Sequence, residues 1–359
     1  MESASKTVKR AETPGADHRP ASAALPTILT THHKRSHPAW TRRTILLPGW
    51  YEAFPRANVS YLRSAVWAWR LFRESRKYDA VVTGAEHVGS IFALLQTLFR
   101  SQHTRRTHVV IDFPWAASPG RLKLMVKRMQ MRMTSRSMDA IFAHASPEEA
   151  ERFTSVLGTR PGLFRYVPYH CWVTEPRPQV SEGSYVFSGG DFRDYATLLR
   201  AVDGAPYHVV ICVRDTAYFK GLKVLRNVEI ATVPPERFDE LLANCGAVVV
   251  PLPGKDIHTG GHTVILAAMA LGKPIIVAGT SEYRHYLQHQ VNGLLTPPSD
   301  SAALRACIDR VLMDASFAAM LGQNALKTAP QFSPETFFAR VFDAVDAAEA
   351  ERGRTTSGD

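Results

Sequence analysis

An α/β fold of two doubly wound parallel-sheet domains is what this sequence predicts, and three features predict it. Short apolar runs alternate with amphipathic stretches from Thr44 onward, a pattern that calls for parallel strands covered by helices on both faces. The alternation breaks once, at the proline-rich passage 174–180 (TEPRPQV), and then restarts. A last amphipathic segment, 334–350, has no strand after it and must pack on a sheet already built. A chain of 359 residues is long enough for two such domains.

Residues 1–43 are rich in Ser, Thr, Pro, Ala and basic side chains without apolar periodicity, and read as a disordered basic tail. The first domain, 44–176, opens with a strand at 44–48 (TILLP) that stops at Gly49. Residues 61–77 place Leu62, Ala65, Val66, Trp69 and Phe72 at helical spacing, with Arg63, Arg70 and Arg73 off that stripe. A buried-strand run at 79–83 (DAVVT) leads through Gly84 into a helix over 90–99. Residues 108–112 (HVVID) are a strand broken at Pro114, 121–138 a basic helix, and 140–143 (AIFA) a further strand. Ser146-Pro147-Glu148-Glu149 starts the next helix, with Ser as cap, Pro in the first position and Glu in the third. In the second domain, 177–333, strands at 184–187, 208–213, 228–230, 247–252 and 274–277 alternate with helices at 195–202, 236–244 and 262–271. Residues 334–352 form the helix that crosses back to the first domain. Ligands of open α/β sheets sit at the carboxyl ends of the strands, so two facing domains place the site in the cleft between them.

Composition excludes several classes. With 45% hydrophobic and 21% charged residues the chain is an ordinary globular one. It has no apolar run of membrane-spanning length, and its start lacks the apolar region of a secretory signal. Cys171, Cys212, Cys245 and Cys307 are too widely spaced for a CxxC pair or a clustered zinc site, and point to reduced thiols in a cytoplasmic protein. The net charge of +10 divides into +5 for residues 1–43, +8 for 44–176 and −3 for 177–359. An anionic partner is therefore met by the first half. Its most basic stretch, 121–136, carries Arg121, Lys123, Lys127, Arg128, Arg132 and Arg136 with no acid, around apolar Leu122, Met125, Val126, Met129 and Met133. Two readings stand: the apolar stripe packs on the sheet beneath a solvated charged face, or the helix docks on an anionic membrane surface, peripherally on its inner face. No nucleic-acid partner is expected, because helix-turn-helix, zinc, RRM and KH signatures are all missing.

The stretch 258–300 carries the chemistry. Thr259-Gly260-Gly261-His262 follows a strand and opens a helix that continues with Thr263. Glycines there let a backbone approach a ligand, and the free N–H groups of a helix start favour an anion such as a diphosphate. Downstream come Ala268-Met269-Ala270-Leu271-Gly272-Lys273-Pro274, Asn292-Gly293-Leu294-Leu295 and Pro297-Pro298-Ser299-Asp300. At this spacing they resemble the donor-domain signature of group 1 retaining glycosyltransferases. Ser188-Gly189-Gly190, then Arg193 and Leu198-Leu199-Arg200-Ala201, resembles the first strand, loop and helix of the same domain, with Arg193 where the family has a phosphate-binding Lys. The resemblance is clear over about residues 184–300 and faint over 44–176.

The resemblance implies the GT-B fold, two facing Rossmann-like domains with a C-terminal helix returning to the first. It implies a hexosyltransferase-type enzyme that moves a sugar from a nucleotide-sugar donor to a glycan, lipid-linked or small-molecule acceptor held by the first domain. No cofactor is expected, and no metal, since the chain has no Asp-x-Asp. Donor-binding candidates are Gly189, Gly190, Arg193, Arg214, Lys255, Thr259, Gly260, Gly261, His262 and Thr263. One departure matters: the two glutamates eight positions apart on the family's donor helix are Thr259 and Ala267 here. A different donor, carboxylates relocated to Asp256 or Glu282, or a catalytically silent sugar-nucleotide-binding scaffold would each account for it.

In the first domain Glu86 and His87 lie where a strand hands over to a helix, and Asp112 ends another strand. Each could contact the transferred sugar or acceptor, or merely cap its local turn. With retention the departing diphosphate can itself take the acceptor's proton. With inversion a protein base is required, and Glu86, His87 and Asp112 are the candidates.

Overall fold

The computed structural model describes residues 25, 27–31, 37–49, 61–84, 86–101, 104–111, 113, 120–171, 173, 185–191, 193–254, 261–279 and 281–356. The first sheet unit comprises, in order, β1 (Ile28–Thr30), α1 (Pro38–Thr41), β2 (Thr44–Leu46), α2 (Tyr61–Glu74), β3 (Ala80–Thr83), α3 (Glu86–Phe99), β4 (Thr107–Val110), α4 (Arg121–Thr134), β5 (Ala140–Ala143), α5 (Pro147–Leu157) and β6 (Phe164–Tyr166). All six strands are parallel, in the order β2-β1-β3-β4-β5-β6. The second unit comprises β7 (Val186–Gly189), α6 (Tyr195–Val202), β8 (Val209–Cys212), β9 (Val228–Ala231), α7 (Pro235–Asn244), β10 (Ala247–Pro251), α8 (His262–Ala270), β11 (Ile275–Ala278), β12 (Leu294–Thr296), α9 (Ser301–Met313) and α10 (Ala315–Thr328). Its strands are parallel too, in the order β12-β11-β10-β7-β8-β9. The final helix, α11 (Pro334–Thr356), belongs spatially to the first sheet.

This architecture corrects the disordered tail expected over residues 1–43. Ile28–Thr30 form a strand paired on both sides, by β2 and by β3, and Ile28 and Leu29 are fully buried. Three residues are too few to show a period, yet they form an inner strand of the sheet. Residues 1–24 and the expected linker 174–180 lie outside the described residues.

The first sheet is covered on both faces. On one, Phe337, Phe338, Val341 and Val345 of α11 pack over Ile28, Ala80, Val82 and Val109. Arg43 anchors this helix by a two-pronged bond to Asp346 (3.1 and 2.6 Å). On the other face α2 and α3 cover Leu29 and Val81, while α4 and α5 cover Val110 and Ile141. The cap of α5 forms as expected, Ser146 Oγ accepting from the Glu149 amide (3.1 Å). The Glu149 carboxylate instead reaches back to the amides of His144 and Ala145 (3.0 and 2.9 Å).

Two helices turn the face opposite to the one their apolar stripes predict. On α2 the buried side is Ser64, Ala68 and Leu71, and of the predicted stripe only Phe72 joins it, while Leu62, Ala65, Val66 and Trp69 are exposed. On α4 only Met131 and Thr134 are buried, and the stripe Leu122, Met125, Val126, Met129 and Met133 faces outward. The reading in which that stripe packs on the sheet is therefore corrected.

The carboxyl edges of the two sheets meet. Tyr286, beyond β11, accepts from the Tyr169 amide (2.8 Å) and donates to the His144 carbonyl, which follow β6 and β5. His285 approaches Glu148 of α5 at 3.3 Å. No helix among the described residues is long and apolar enough to cross a membrane.

Candidate functional site

In the second sheet the strand order reverses between β7 and β10, the switch point at which an open α/β sheet leaves a crevice for a ligand. β7 ends at Gly189, where a Cβ would lie 2.5 Å from the Phe238 ring, so only glycine fits. Gly190 follows at φ +105°, a conformation L side chains rarely adopt. Its amide donates to the Cys212 carbonyl (2.9 Å), and its carbonyl accepts from the Tyr195 hydroxyl. This pinned turn brings Arg193 back over it, with Nη2 2.8 Å from the Cβ position of Gly190.

The other side of the crevice is the start of α8. Gly261 caps that helix at φ +107°. A Cβ there would sit 2.9 Å from Val250 and 3.7 Å from the same Arg193 Nη2. The guanidinium of Arg193 thus lies between two glycine turns, beside the helix start whose first amides have no intrahelical partner. Its Nη1 donates to the Asp191 carbonyl (3.0 Å), while Nε is shut off from solvent with no hydrogen-bond partner among the described residues. Burial pulls its pKa below the ordinary arginine range. An arginine does not release its proton in a protein, so this is a cation short of compensation. Asp191 cannot fully supply it: its carboxylate is engaged by the amide of Arg214 (3.1 Å) and by Arg214 Nε.

The structure therefore gathers Gly189, Gly190, Arg193, Arg214 and Gly261 along one edge, with Thr263 exposed on the first turn of α8. The ring of His262 is buried against Tyr283 and Tyr286, centroids 5.1 and 4.7 Å apart, so its side chain serves packing and its amide is the group that could meet a ligand. Lys255, Thr259 and Gly260 lie outside the described residues, as does Asp112. Ala267 is half-buried against the core of the second unit. Glu86 opens α3 on the facing sheet and His87 is exposed on the same turn. Both follow β3, beside the first sheet's own switch point between β1 and β3. There the Gly84 amide donates to Thr31 Oγ1 (3.2 Å).

Three residues of this region escaped sequence reasoning. Asp191 follows the glycine pair and could have been noticed for its place. Tyr195, which fixes the Gly190 carbonyl, and Tyr286, which ties the two sheets together, carry no sequence signal beyond being aromatic.

Comparison with known proteins places this geometry. Residues 221–328 match the family of group 1 glycosyl transferases. An uncharacterised glycosyltransferase of Methanocaldococcus jannaschii is 25% identical over 142 residues, 40% of this chain and 31% of that protein. The match thus spans about a third of the relative's length. Sucrose-phosphate synthase from Thermosynechococcus elongatus superposes with a TM-score of 0.66 at 18% identity, over 86% of this chain and 84% of that one. HepE of Anabaena, solved with UDP and glucose, gives 0.68 at 15% identity over 90% and 100%. Residues 221–328 thus match the group 1 glycosyl transferases, and they lie within a chain that has the two-sheet GT-B fold.

Proposed function

We propose that the protein is a glycosyltransferase that takes a sugar from a nucleoside diphosphate and passes it to an acceptor in the cleft between the sheets. One observation carries this: the only partly compensated guanidinium of Arg193, held between the Gly190 and Gly261 turns at the switch point. A diphosphate supplies the missing negative charge and takes the N–H groups of α8 at the same time. As the bond from the anomeric carbon to phosphate oxygen breaks, negative charge grows on the leaving group where these donors are already in place. Arg193, the α8 amides and, by their place in the sequence, Lys255 and Arg214 neutralise the diphosphate, so the transfer runs without a metal. We assign retention, with the leaving phosphate taking the acceptor's proton. If the outcome is inversion, Glu86, His87 or Asp112 is the base. None of the four cysteines is in a disulfide and three of them are buried, which suits a reducing cytoplasm.

UDP is the nucleotide to test first, since HepE was solved with UDP and with UDP-glucose. Thermal unfolding is followed with UDP, GDP, ADP, CDP and dTDP. A nucleotide at a hundred times its dissociation constant adds about 2.7 kcal/mol of stability. A shift with one base supports the reading, and no shift with any of the five overturns it. The silent-scaffold reading is favoured by Thr259 and Ala267, neither of which supplies a carboxylate. Release of UDP from UDP-sugars, even by slow hydrolysis, separates the enzyme from the scaffold.

A further inference from the structure

The surface formed by α2, α3 and α4 is a feature that sugar transfer does not use. Ten of the seventeen exposed large hydrophobic side chains among the described residues sit on these three helices. On α4, at about 100° per residue, the five outward side chains from Leu122 to Met133 fall within roughly 60° of one line. They are 47–70% exposed. On the flank away from this stripe the half-buried Lys127 ammonium sits over the Phe113 ring at 4.9 Å, and the exposed Arg128 donates from Nε to the Val156 carbonyl (2.6 Å). Burial pulls the Lys127 pKa down to about 8. Water as the only neighbour does not favour a half-buried lysine on the same helix as a continuous row of exposed leucine, valine and methionine side chains.

The patch continues across the other two helices. Trp69 of α2 meets Phe99 of α3 edge-on at 6.3 Å, and Thr97 Oγ1 donates to the Met133 carbonyl of α4 (3.2 Å). Leu62 and Val66 extend it along α2, and Leu98 and Phe99 are more than 60% exposed. The borders of the α4 stripe are cationic: Arg121 and Arg132 on one flank, Lys123 on the other, all exposed, and the helix has no acid.

We propose that this face docks on an anionic lipid bilayer. The apolar side chains enter the boundary between headgroups and acyl chains, and the flanking Arg and Lys meet lipid phosphates. The charge ring selects a bilayer over a second copy of this chain, whose identical face would set cation against cation. The three helices begin after β2, β3 and β4, at the edge of the sheet that faces the cleft. Docking therefore holds the cleft mouth at the membrane and selects an acceptor carried in the bilayer. This last step rests on the glycosyl-transfer reading; the docking does not.

Co-sedimentation with vesicles of phosphatidylcholine, with and without phosphatidylglycerol, tests it on the full chain. The wild type binds the anionic vesicles and not the neutral ones. With each cation contributing about fivefold at low salt, Arg121→Gln/Lys123→Gln/Arg132→Gln lowers partitioning about a hundredfold. Met125→Asp/Met129→Asp removes it, and both variants keep the wild-type melting temperature because these side chains are exposed. Trp69 fluorescence shifts to the blue on binding, a change missing in Trp69→Phe. Equal binding to neutral and anionic vesicles, wild-type binding by either multiple variant, or a dimer dissociated by Met125→Asp/Met129→Asp with no vesicle binding overturns the proposal. Vesicle binding by a protein that no nucleoside diphosphate stabilises leaves the docking intact and removes the transfer reading instead.

Discussion

Replacing Arg193 with methionine separates what this side chain does for a ligand from what it does for the fold. Methionine keeps a long, flexible stem in the space between Gly190 and Gly261 and discards the charge. Two terms oppose each other in the unliganded protein. Loss of the Nη1 bond to the Asp191 carbonyl (3.0 Å) removes a charged hydrogen bond of about 1.5 kcal/mol. Loss of the buried, unpaired Nε relieves about 1–3 kcal/mol of desolvation. The balance favours the variant by about 0.5 kcal/mol, or roughly 1–2 °C in melting temperature. The liganded protein behaves in the opposite way. Two charged hydrogen bonds to a diphosphate, about 1.5 kcal/mol each, are lost, and affinity falls about a hundredfold. At a nucleotide concentration that gives the wild type about 2.7 kcal/mol, the variant gains only about 0.4 kcal/mol. Thermal melts of both proteins with and without UDP read the two effects together. A variant markedly less stable than the wild type shows that Arg193 is a structural residue, and a variant that keeps the full nucleotide shift removes it from the site.

Tyr286→Phe leaves the ring stack on Phe332 (5.0 Å) intact but removes the hydroxyl's bonds to the Tyr169 amide and the His144 carbonyl. Loss of two hydrogen bonds at about 0.5–1.5 kcal/mol each costs about 1–3 kcal/mol. Calorimetry is expected to show a melting temperature several degrees lower; an unchanged one means water replaces the hydroxyl. His108, fully buried between Thr83 and Phe92, has its pKa lowered to about 4, chiefly by burial. Its folded pKa lies below the unfolded value of about 6.5, so its contribution is complete above pH 6.5 and is lost as the pH falls to about 4. The loss is about 3 kcal/mol over that window, and His108→Gln is expected to flatten the pH dependence of the melt; parallel curves for the two proteins would falsify the assignment.

The fold was legible because the residues that betray it are structural. Lys273 of the GKP turn is 2% exposed, with Nζ donating to the Cys245 carbonyl (3.2 Å). Gly272 takes φ +64° to end α8, and Asp300 caps α9 through the Ala303 amide (2.9 Å). Asn292 accepts from the Gln288 amide (2.6 Å) and donates to Thr328 (3.2 Å). Such residues are set by backbone geometry, which a sequence pattern encodes directly. The candidate site was legible in part, through glycines whose turns leave no room for a side chain. Tyr286 was not, because its partners are backbone groups 117 and 142 residues away. Nor was the orientation of α2 and α4: periodicity reports that a helix has two faces, and an apolar face turned outward has the same period as one turned inward. The short strand Ile28–Thr30 was hidden for a simpler reason, since its neighbours supply the pairing that its own length cannot announce.

The return of α11 to the first sheet has a consequence for synthesis. Ile28, Ala80, Val82 and Val109 are covered by Phe337, Phe338 and Val341. Those covering residues leave the ribosome only after the whole second sheet has been made. At typical elongation rates the interval is on the order of 10–30 s, during which one face of the first sheet stands open. The usual order is thereby inverted: the second unit can complete its own core while the first waits. A nascent chain arrested before residue 334 presents a naked sheet face, the kind of surface that chaperones hold and that aggregation exploits.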